Sequence, residues 1–347
     1  MAFEIDTIDS HIHLYKWFDK NGKSYINALD DLQNETGVKG ITLASLTDPI
    51  YGAFEYNIMS AIYKLFSPTA YALANLYFPE LPVKAPICKE FDPKTQYEEL
   101  MEIGFDGFKI LFKPDLQRLA EIPFNSPVFE DFYTNCEKDG TYILCHVADP
   151  KQNWTTSFSA GPWNYFDGTY LPREEMYNQV FDVLESHPKL NICFAHFFFM
   201  EDEPNKLEKL FAKYKNLCVD LAPGLMFRKF EREKEFFTDF LTKYSNRIIY
   251  GSDATINENP KNAELMTAVY NGITTNNTID IWDFKSQGIK IPEKAAQNIL
   301  SETFKNHCGK TPKAINKAAL KKYIEKYLDY IKNEQEKQQI INLLKTL

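Results

Sequence analysis

The sequence predicts an α/β protein: a single (β/α)8 TIM barrel with long βα-loop insertions and extra C-terminal helices. Eight short apolar runs carry that prediction: Ile5–His11, Gly40–Ser45, Tyr71–Leu76, Gly107–Phe112, Tyr142–Val147, Asn191–Phe197, Leu217–Leu221 and Ile248–Asp253. Segments of helical periodicity separate them, and strands alternating with helices form right-handed parallel units. Eight such units over about 250 residues span a closed barrel, and the chain of 347 residues holds one with room for insertions.

Most of the runs are β-branched, aromatic or Leu-rich, as strands buried on both faces are; the third is Ala-rich. After the second run, Ile50–Ser67 is an aromatic-rich helical stretch. After the fifth, Asp149–Leu171 is a long loop with Trp154, Trp163, Tyr165, Phe166 and Tyr170. Long loops at this end of a barrel build substrate pockets. A helix starts at Pro172-Arg173, carries Val180, Phe181 and Leu184 on one stripe, and stops at His187-Pro188. Two more are predicted: Glu203–Tyr214 with Leu207, Leu210 and Phe211, and Glu231–Tyr244 with Phe236, Phe237, Phe240 and Leu241. Beyond Pro312 the chain is Lys-rich and helical, with a stripe of Leu320, Ile324, Tyr327, Leu328 and Ile331. The expected division is therefore a barrel over residues 1–311 and a helical extension over 312–347. That extension packs on the barrel or at a homo-oligomer interface.

The net charge of −9, with no dense Lys/Arg cluster, argues against a nucleic-acid partner and against an anionic membrane surface. The N-terminus lacks the basic and apolar regions of a secretory signal, and no apolar run reaches membrane-spanning length. Three of the six cysteines, Cys145, Cys193 and Cys218, fall inside strand-like runs. Buried reduced thiols fit them, without a CxxC pair, and suit a cytoplasmic protein.

Chemistry concentrates at one end of the strands. Asp9-Ser10-His11-Ile12-His13 ends the first run, and side chains two apart on a strand share a face. His146 ends the fifth run, His196 the sixth, and Asp253 the eighth. Each alone is as well explained by core packing or by capping. Four of the six histidines at the same strand ends are not. Imidazoles with one carboxylate suit Zn²⁺, and also Fe²⁺ or Mn²⁺. His187 and His307 are expected at the surface. Lys109 alternates with Phe108 and Ile110, so it faces the lumen if they face the helices; a lysine snorkelling from the mouth is the other reading. Arg173, Trp154, Trp163 and Arg228 are candidates for the substrate wall, although loop packing explains any one of them.

The order HxH, Lys109, His146, His196, Asp253 resembles the amidohydrolase superfamily over roughly Ile5 to Asp253. Gly107-Phe108-Lys109-Ile110, Pro188-Lys189-Leu190-Asn191, Ala195-His196 and Tyr250-Gly251-Ser252-Asp253 are similar to its amidohydrolase 2 branch of hydrolases and decarboxylases. One departure is the closing helix: the nearest text, Ala296-Gln297-Asn298-Ile299-Leu300, follows a long insertion. The resemblance implies one divalent metal, zinc first, on His11, His13, His146 and Asp253, with an uncarboxylated Lys109. It implies that Asp253 is the base for an activated water and that His196 orients that water or holds an oxyanion. The expected activity is hydrolysis of an amide, ester or lactone-like bond in a small, carboxylated substrate. Non-oxidative decarboxylation of a small aromatic or unsaturated acid is the rival within enzymes. A metal-binding barrel without turnover is the third reading.

Overall fold

A computed structural model describes residues 3–14, 25–46, 53–77, 91–155, 163–256, 261–282, 284–331 and 334–345. Strands β1 (Ile8–Leu14), β2 (Gly40–Ala44), β3 (Ala70–Ala74), β4 (Gly107–Phe112), β5 (Tyr142–Val147), β6 (Ile192–Phe194), β7 (Leu217–Asp220) and β8 (Ile248–Ile249) pair in that order, all parallel. β9 (Ala254–Ile256) follows β8 directly in the chain and pairs in parallel with β1. Between them, the Tyr250 carbonyl accepts from Ser10 N (3.2 Å) and Asp253 N donates to the His11 carbonyl (2.8 Å). The stretch 248–256 is thus one interrupted eighth strand that closes the ring. β10 (Thr278–Ile281) and β11 (Phe284–Gln287) form a separate antiparallel pair.

Alternation sorts the side chains. Phe108, Ile143, Cys145, Phe194 and Val219 join the large core between strands and outer helices. Tyr142, Leu144, Cys193, Cys218 and Ile249 fill the lumen instead, with Phe304 as a plug. Phe108 packs on Tyr97 and Phe132 of two outer helices. Lys109 therefore points into the lumen, above the plug.

β1 breaks the simple parity. Ile8 belongs to the lumen cluster, yet Ile12 belongs to the outer core, with His11 and His13 on the lumen side. The β1–β2 register shifts between Asp9 and Ile12. A bulge of this kind re-aims the residues that follow it, so an apolar plug residue and the histidine pair share one side.

Several boundaries differ from expectation. β1 starts at Ile8 rather than Ile5 and runs on to Leu14, so both histidines lie inside the strand. Glu231–Tyr244 is two helices, Phe227–Arg232 and Lys234–Lys243, broken at Glu233. Helices Arg173–Ser186 and Pro204–Lys213 lie where periodicity puts them. The closing helix does exist, as Glu293–Gln297, a π turn Asn298–Glu302 and Thr303–Cys308. Its Ile299 carbonyl accepts from Tyr250 N at 2.8 Å, which ties it under the eighth strand. Helix Lys317–Tyr327 packs on helices Ala53–Phe66 and Pro93–Ile103, burying Leu320 and Ile324. Among the described residues no helix is long and apolar enough to cross a membrane. The described cysteines are free, and all but Cys308 are buried.

The surface expectation for two histidines is corrected. His187 is buried against Tyr133, with Glu130 and Glu137 near its nitrogens. His307 is half-buried at the N-terminal end of the barrel, its Nδ1 2.7 Å from Asn191 Oδ1 and its Nε2 3.1 Å from Cys218 Sγ. Both follow from the closing layers that the outer helices and Thr303–Cys308 place over the strand starts.

Burial lowers the His307 pKa from 6.5 to about 4. The unfolded chain binds a proton there as pH drops through 6.5, while the folded chain does so only near 4. The group's contribution is therefore complete above that window and is lost as pH falls through it. Acidification from about pH 6.5 to 5 should cost roughly 2 kcal/mol at this site. His307→Asn should lose less melting temperature than wild type over that interval; parallel slopes in a thermal-melt series would remove His307 from the acid response.

Candidate metal centre

Three donor atoms meet at the C-terminal mouth of the barrel. His11 Nε2 and His13 Nε2 lie 3.1 Å apart. Asp253 Oδ1 is 3.1 Å from the His13 nitrogen and 3.5 Å from the His11 nitrogen. His11 and His13 are buried and the Asp253 side chain is mostly so. These separations match the roughly 3.3 Å edges of a tetrahedral ligand shell at about 2.0–2.1 Å from a metal.

The far nitrogens decide what the near ones present. His13 Nδ1 donates to the Ala44 carbonyl at 2.7 Å, and His11 Nδ1 donates to Asp220 Oδ2 at 2.8 Å. With Nδ1 committed to these acceptors, each ring when uncharged turns an Nε2 lone pair inward. Burial holds the His11 pKa well below its ordinary value, with Lys109 adding to the effect. Burial alone would raise Asp253, but the His11 and His13 imidazoles, when they carry a proton, outweigh it and hold its carboxyl well below the usual range. Two Nε2 atoms and a carboxylate oxygen thus converge on one point, with Lys109 Nζ beside them at 2.9 Å from His11 Nε2. The donor set therefore fits a divalent metal, with His11, His13 and Asp253 as its holders.

Local backbone aims these groups. Asp253 has φ 57, a left-handed value that is costly for a non-glycine residue and recurs at functional sites. Gly251, two residues earlier, lets the eighth strand lie against β1. A Cβ there would stand 2.8 Å from His11 Cβ. Lys109 is fully buried, and its Nζ donates to His11 Nε2 at 2.9 Å. Burial lowers its pKa, with Asp253 and Asp220 opposing.

Asp220, which sequence reasoning missed, sits at the centre of this support. It is completely buried; Oδ1 accepts from the backbone of His196 and Ala222, and Oδ2 takes the His11 proton. Burial raises its pKa, while His196 and Lys109 oppose that. Its one sequence signal is an acid inside the apolar run Leu217–Leu221.

His146 does not join the three donors. Its Nδ1 lies 2.9 Å from His196 Nε2, while its Nε2 faces the Ala148 carbonyl at 3.0 Å and Asp149 Oδ1 at 3.4 Å. His196 Nδ1 donates to the Ala222 carbonyl at 2.8 Å. With both outer nitrogens committed to acceptors, the inner two also face each other as lone pairs, and a proton or cation between them satisfies both. Burial lowers the pKa of both rings, that of His196 to about 4, with His146 adding to the His196 shift.

His196 reaches the lumen through an unusual turn. Ala195 already points into the lumen, so simple alternation would turn His196 away. Instead His196, Phe197, Phe198 and Phe199 all have φ between 48 and 60. Such left-handed backbone costs about 1–2 kcal/mol per residue. Phe198 stacks on Phe194 at 4.0 Å, Tyr177 Oη donates to the Phe198 carbonyl, and Arg173 Nη2 donates to the Phe199 carbonyl. Arg173, expected on the substrate wall, is buried behind the site, where it clamps this turn and pairs with Glu203.

A cavity of about 390 Å³ opens above the donors, lined by His13, Lys109, Lys113, His146, His196 and Asp253, with Trp163 and Trp282 at its mouth. Trp154 and Arg228 are not among its described lining residues. Trp154 donates to the Leu171 carbonyl and packs on Tyr165, inside its own loop. The Arg228 guanidinium lies 4.0 Å above the Phe284 ring. Local packing thus accounts for both side chains.

Asp220→Asn tests the support of His11. The amide oxygen is needed by two backbone N–H groups, so the NH₂ would face His11 Nδ1 and force the proton to Nε2. Zn²⁺ affinity, read by competition with a chromophoric chelator, should drop about 10–100-fold. Unchanged affinity would remove Asp220 from this role.

No family model and no curated protein matches the chain. Solved structures do. A 2,6-dihydroxybenzoate decarboxylase complexed with 2,6-dihydroxybenzoate aligns with 88% of this chain and 98% of its own, at 14% identity and a TM-score of 0.55. A probable 2-pyrone-4,6-dicarboxylic acid hydrolase from Acinetobacter baumannii aligns with 88% and 100%, at 12% identity and a TM-score of 0.52. An uncharacterised TIM-barrel protein from Bordetella bronchiseptica aligns with 87% and 98%, at 11% identity and a TM-score of 0.55. At such identities the likeness is one of fold, and the chain shares the TIM-barrel fold of these three proteins.

Proposed function

We propose that this chain is a metal-dependent enzyme of the amidohydrolase type, with a divalent ion, zinc first and Fe²⁺ or Mn²⁺ as alternatives, held by His11, His13 and Asp253. The observation that carries this reading is the convergence of three donor atoms within 3.1–3.5 Å, two of them lone pairs locked inward by Asp220 and Ala44. Bound there, such an ion would polarise a substrate carbonyl and lower the pKa of a water. Asp253, whose carboxylate stands at the cavity wall beside both imidazoles, is the proton acceptor. His196 orients a water through its Nε2 lone pair or, carrying the proton it shares with His146, holds a developing oxyanion. Lys109 and Lys113 place positive charge beside the cavity, which favours a small carboxylated substrate.

Hydrolysis of an amide, ester or lactone-like bond is our first reading. Non-oxidative decarboxylation is the second, since the structures of like fold include a named decarboxylase and a named hydrolase. Purified chain should contain near one transition metal per molecule by elemental analysis, and His13→Ala should lose it. Asp253→Asn should cut turnover by roughly 10²–10⁴-fold without unfolding the chain. With a turned-over substrate in ¹⁸O-labelled water, label in the organic product marks hydrolysis, and CO₂ release with an unlabelled organic product marks decarboxylation. A metal-free chain whose activity survives chelation would sink the proposal.

A further inference from the structure

The molecule exposes few large apolar side chains among its described residues: Phe66, Leu119, Trp163, Phe166, Phe236 and Trp282. Three of these six, Leu119, Trp163 and Trp282, line the cavity that also contains His13, Lys109, His196 and Asp253. They come from three separate segments. Leu119 lies on helix Pro114–Ala120 after β4, Trp163 on the loop after β5, and Trp282 directly after β10, where the chain turns toward β11.

Trp282 is the most telling of the three. It is 60% exposed, so burial does not explain an indole here. It also has φ 53, a left-handed value that a hairpin end ordinarily gives to Gly or Asn. A bulky residue in that region is an outlier, and such outliers cluster at functional sites. Together with Asp253 and Thr255, it borders both the cavity over the donors and the neighbouring cleft along helix Asn262–Thr274. The backbone thus tolerates strain to hold an exposed indole at the junction of two openings.

We propose that Leu119, Trp163 and Trp282 form a specificity-determining rim that grips an apolar, ring-shaped body of the ligand, while the reacting group lies deeper at the donors; this rests on the metal-enzyme reading above. Exposed indoles supply large, rigid contact area at little entropic cost, and each flat contact with a ring strengthens binding by about three- to tenfold. Separate segments carry the rim, so ring selection is independent of the residues that hold the metal.

The test is calorimetric titration of the full-length chain with two probes, 1-naphthoate and acetate, which share a carboxylate and differ in the apolar body. Wild type should bind 1-naphthoate at least tenfold more tightly than acetate. Trp163→Ala and Trp282→Ala should each weaken 1-naphthoate binding about threefold or more, and the double variant about tenfold. Acetate binding and metal content should stay unchanged. Trp282→Phe should retain most of the affinity. Trp282→Gly should lose it while matching or exceeding the wild-type melting temperature, because glycine relieves the positive φ. Equal behaviour of the two probes, absence of binding included, would overturn the rim, as would an unaffected double variant. A lower melting temperature for Trp282→Gly would make the indole structural and overturn its role. Tryptophan-dependent 1-naphthoate binding by a chain that holds no metal would sink the metal-enzyme reading and leave the rim standing.

Discussion

The seam between β1 and the stretch 248–256 governs the rest of the molecule. Barrel closure requires backbone bonds from Ser10 and Asp253 across this seam. The same bonds bring the Asp253 carboxylate onto the two imidazoles of β1. The approach is close enough that Gly251 has no room for a Cβ against His11. Closure and assembly of the donor set are therefore one event. A barrel that slipped by one residue at the seam would lose the donor set along with its register.

Support radiates outward from that seam in layers of committed hydrogen bonds. Asp220 serves His11, His196 and Ala222 at once. Asp9 accepts from His11 N and Ser252 N, and burial pushes its pKa up to about 7. Buried acids of this kind are costly unless their neighbours satisfy them. Their retention above an apolar plug fits a structure that gives up some stability to orient imidazoles. The left-handed turn at His196–Phe199 follows the same logic: aromatic stacking and the Arg173 clamp offset local strain, and the result is one imidazole turned into the cavity.

The lower half of the barrel is conventional by contrast. Tyr142, Leu144, Cys193, Cys218 and Phe304 fill the lumen, and the closing helix ties it from below through Ile299. This dry plug sets a floor under Lys109 and the donors. Charges just above it feel low dielectric, which is why burial dominates the shifts of His11, Lys109 and Asp220.

The sequence by itself determined the eight strands and the acid and imidazole groups at their ends, because these rest on local apolar patterning and on period-two alternation; it left Lys109 between the lumen and the mouth, a choice that the packing of Phe108 on the outer helices decides. It left other features open because they depend on contacts between distant residues. Asp220 pairs with a histidine 209 positions away, and nothing in its own run announces that partner. The bulge in β1 and the left-handed turn after β6 reverse parity through backbone dihedrals that residue types alone do not dictate. His146 faces His196 and Asp149, not the three donors, because neighbouring loops supply its outer acceptors. Arg173 and Trp154 looked equally apt for a pocket wall, and only packing turned one behind the site and the other into its loop. Trp282, far along the chain in the insertion before the closing helix, reaches the mouth only through tertiary placement of its hairpin.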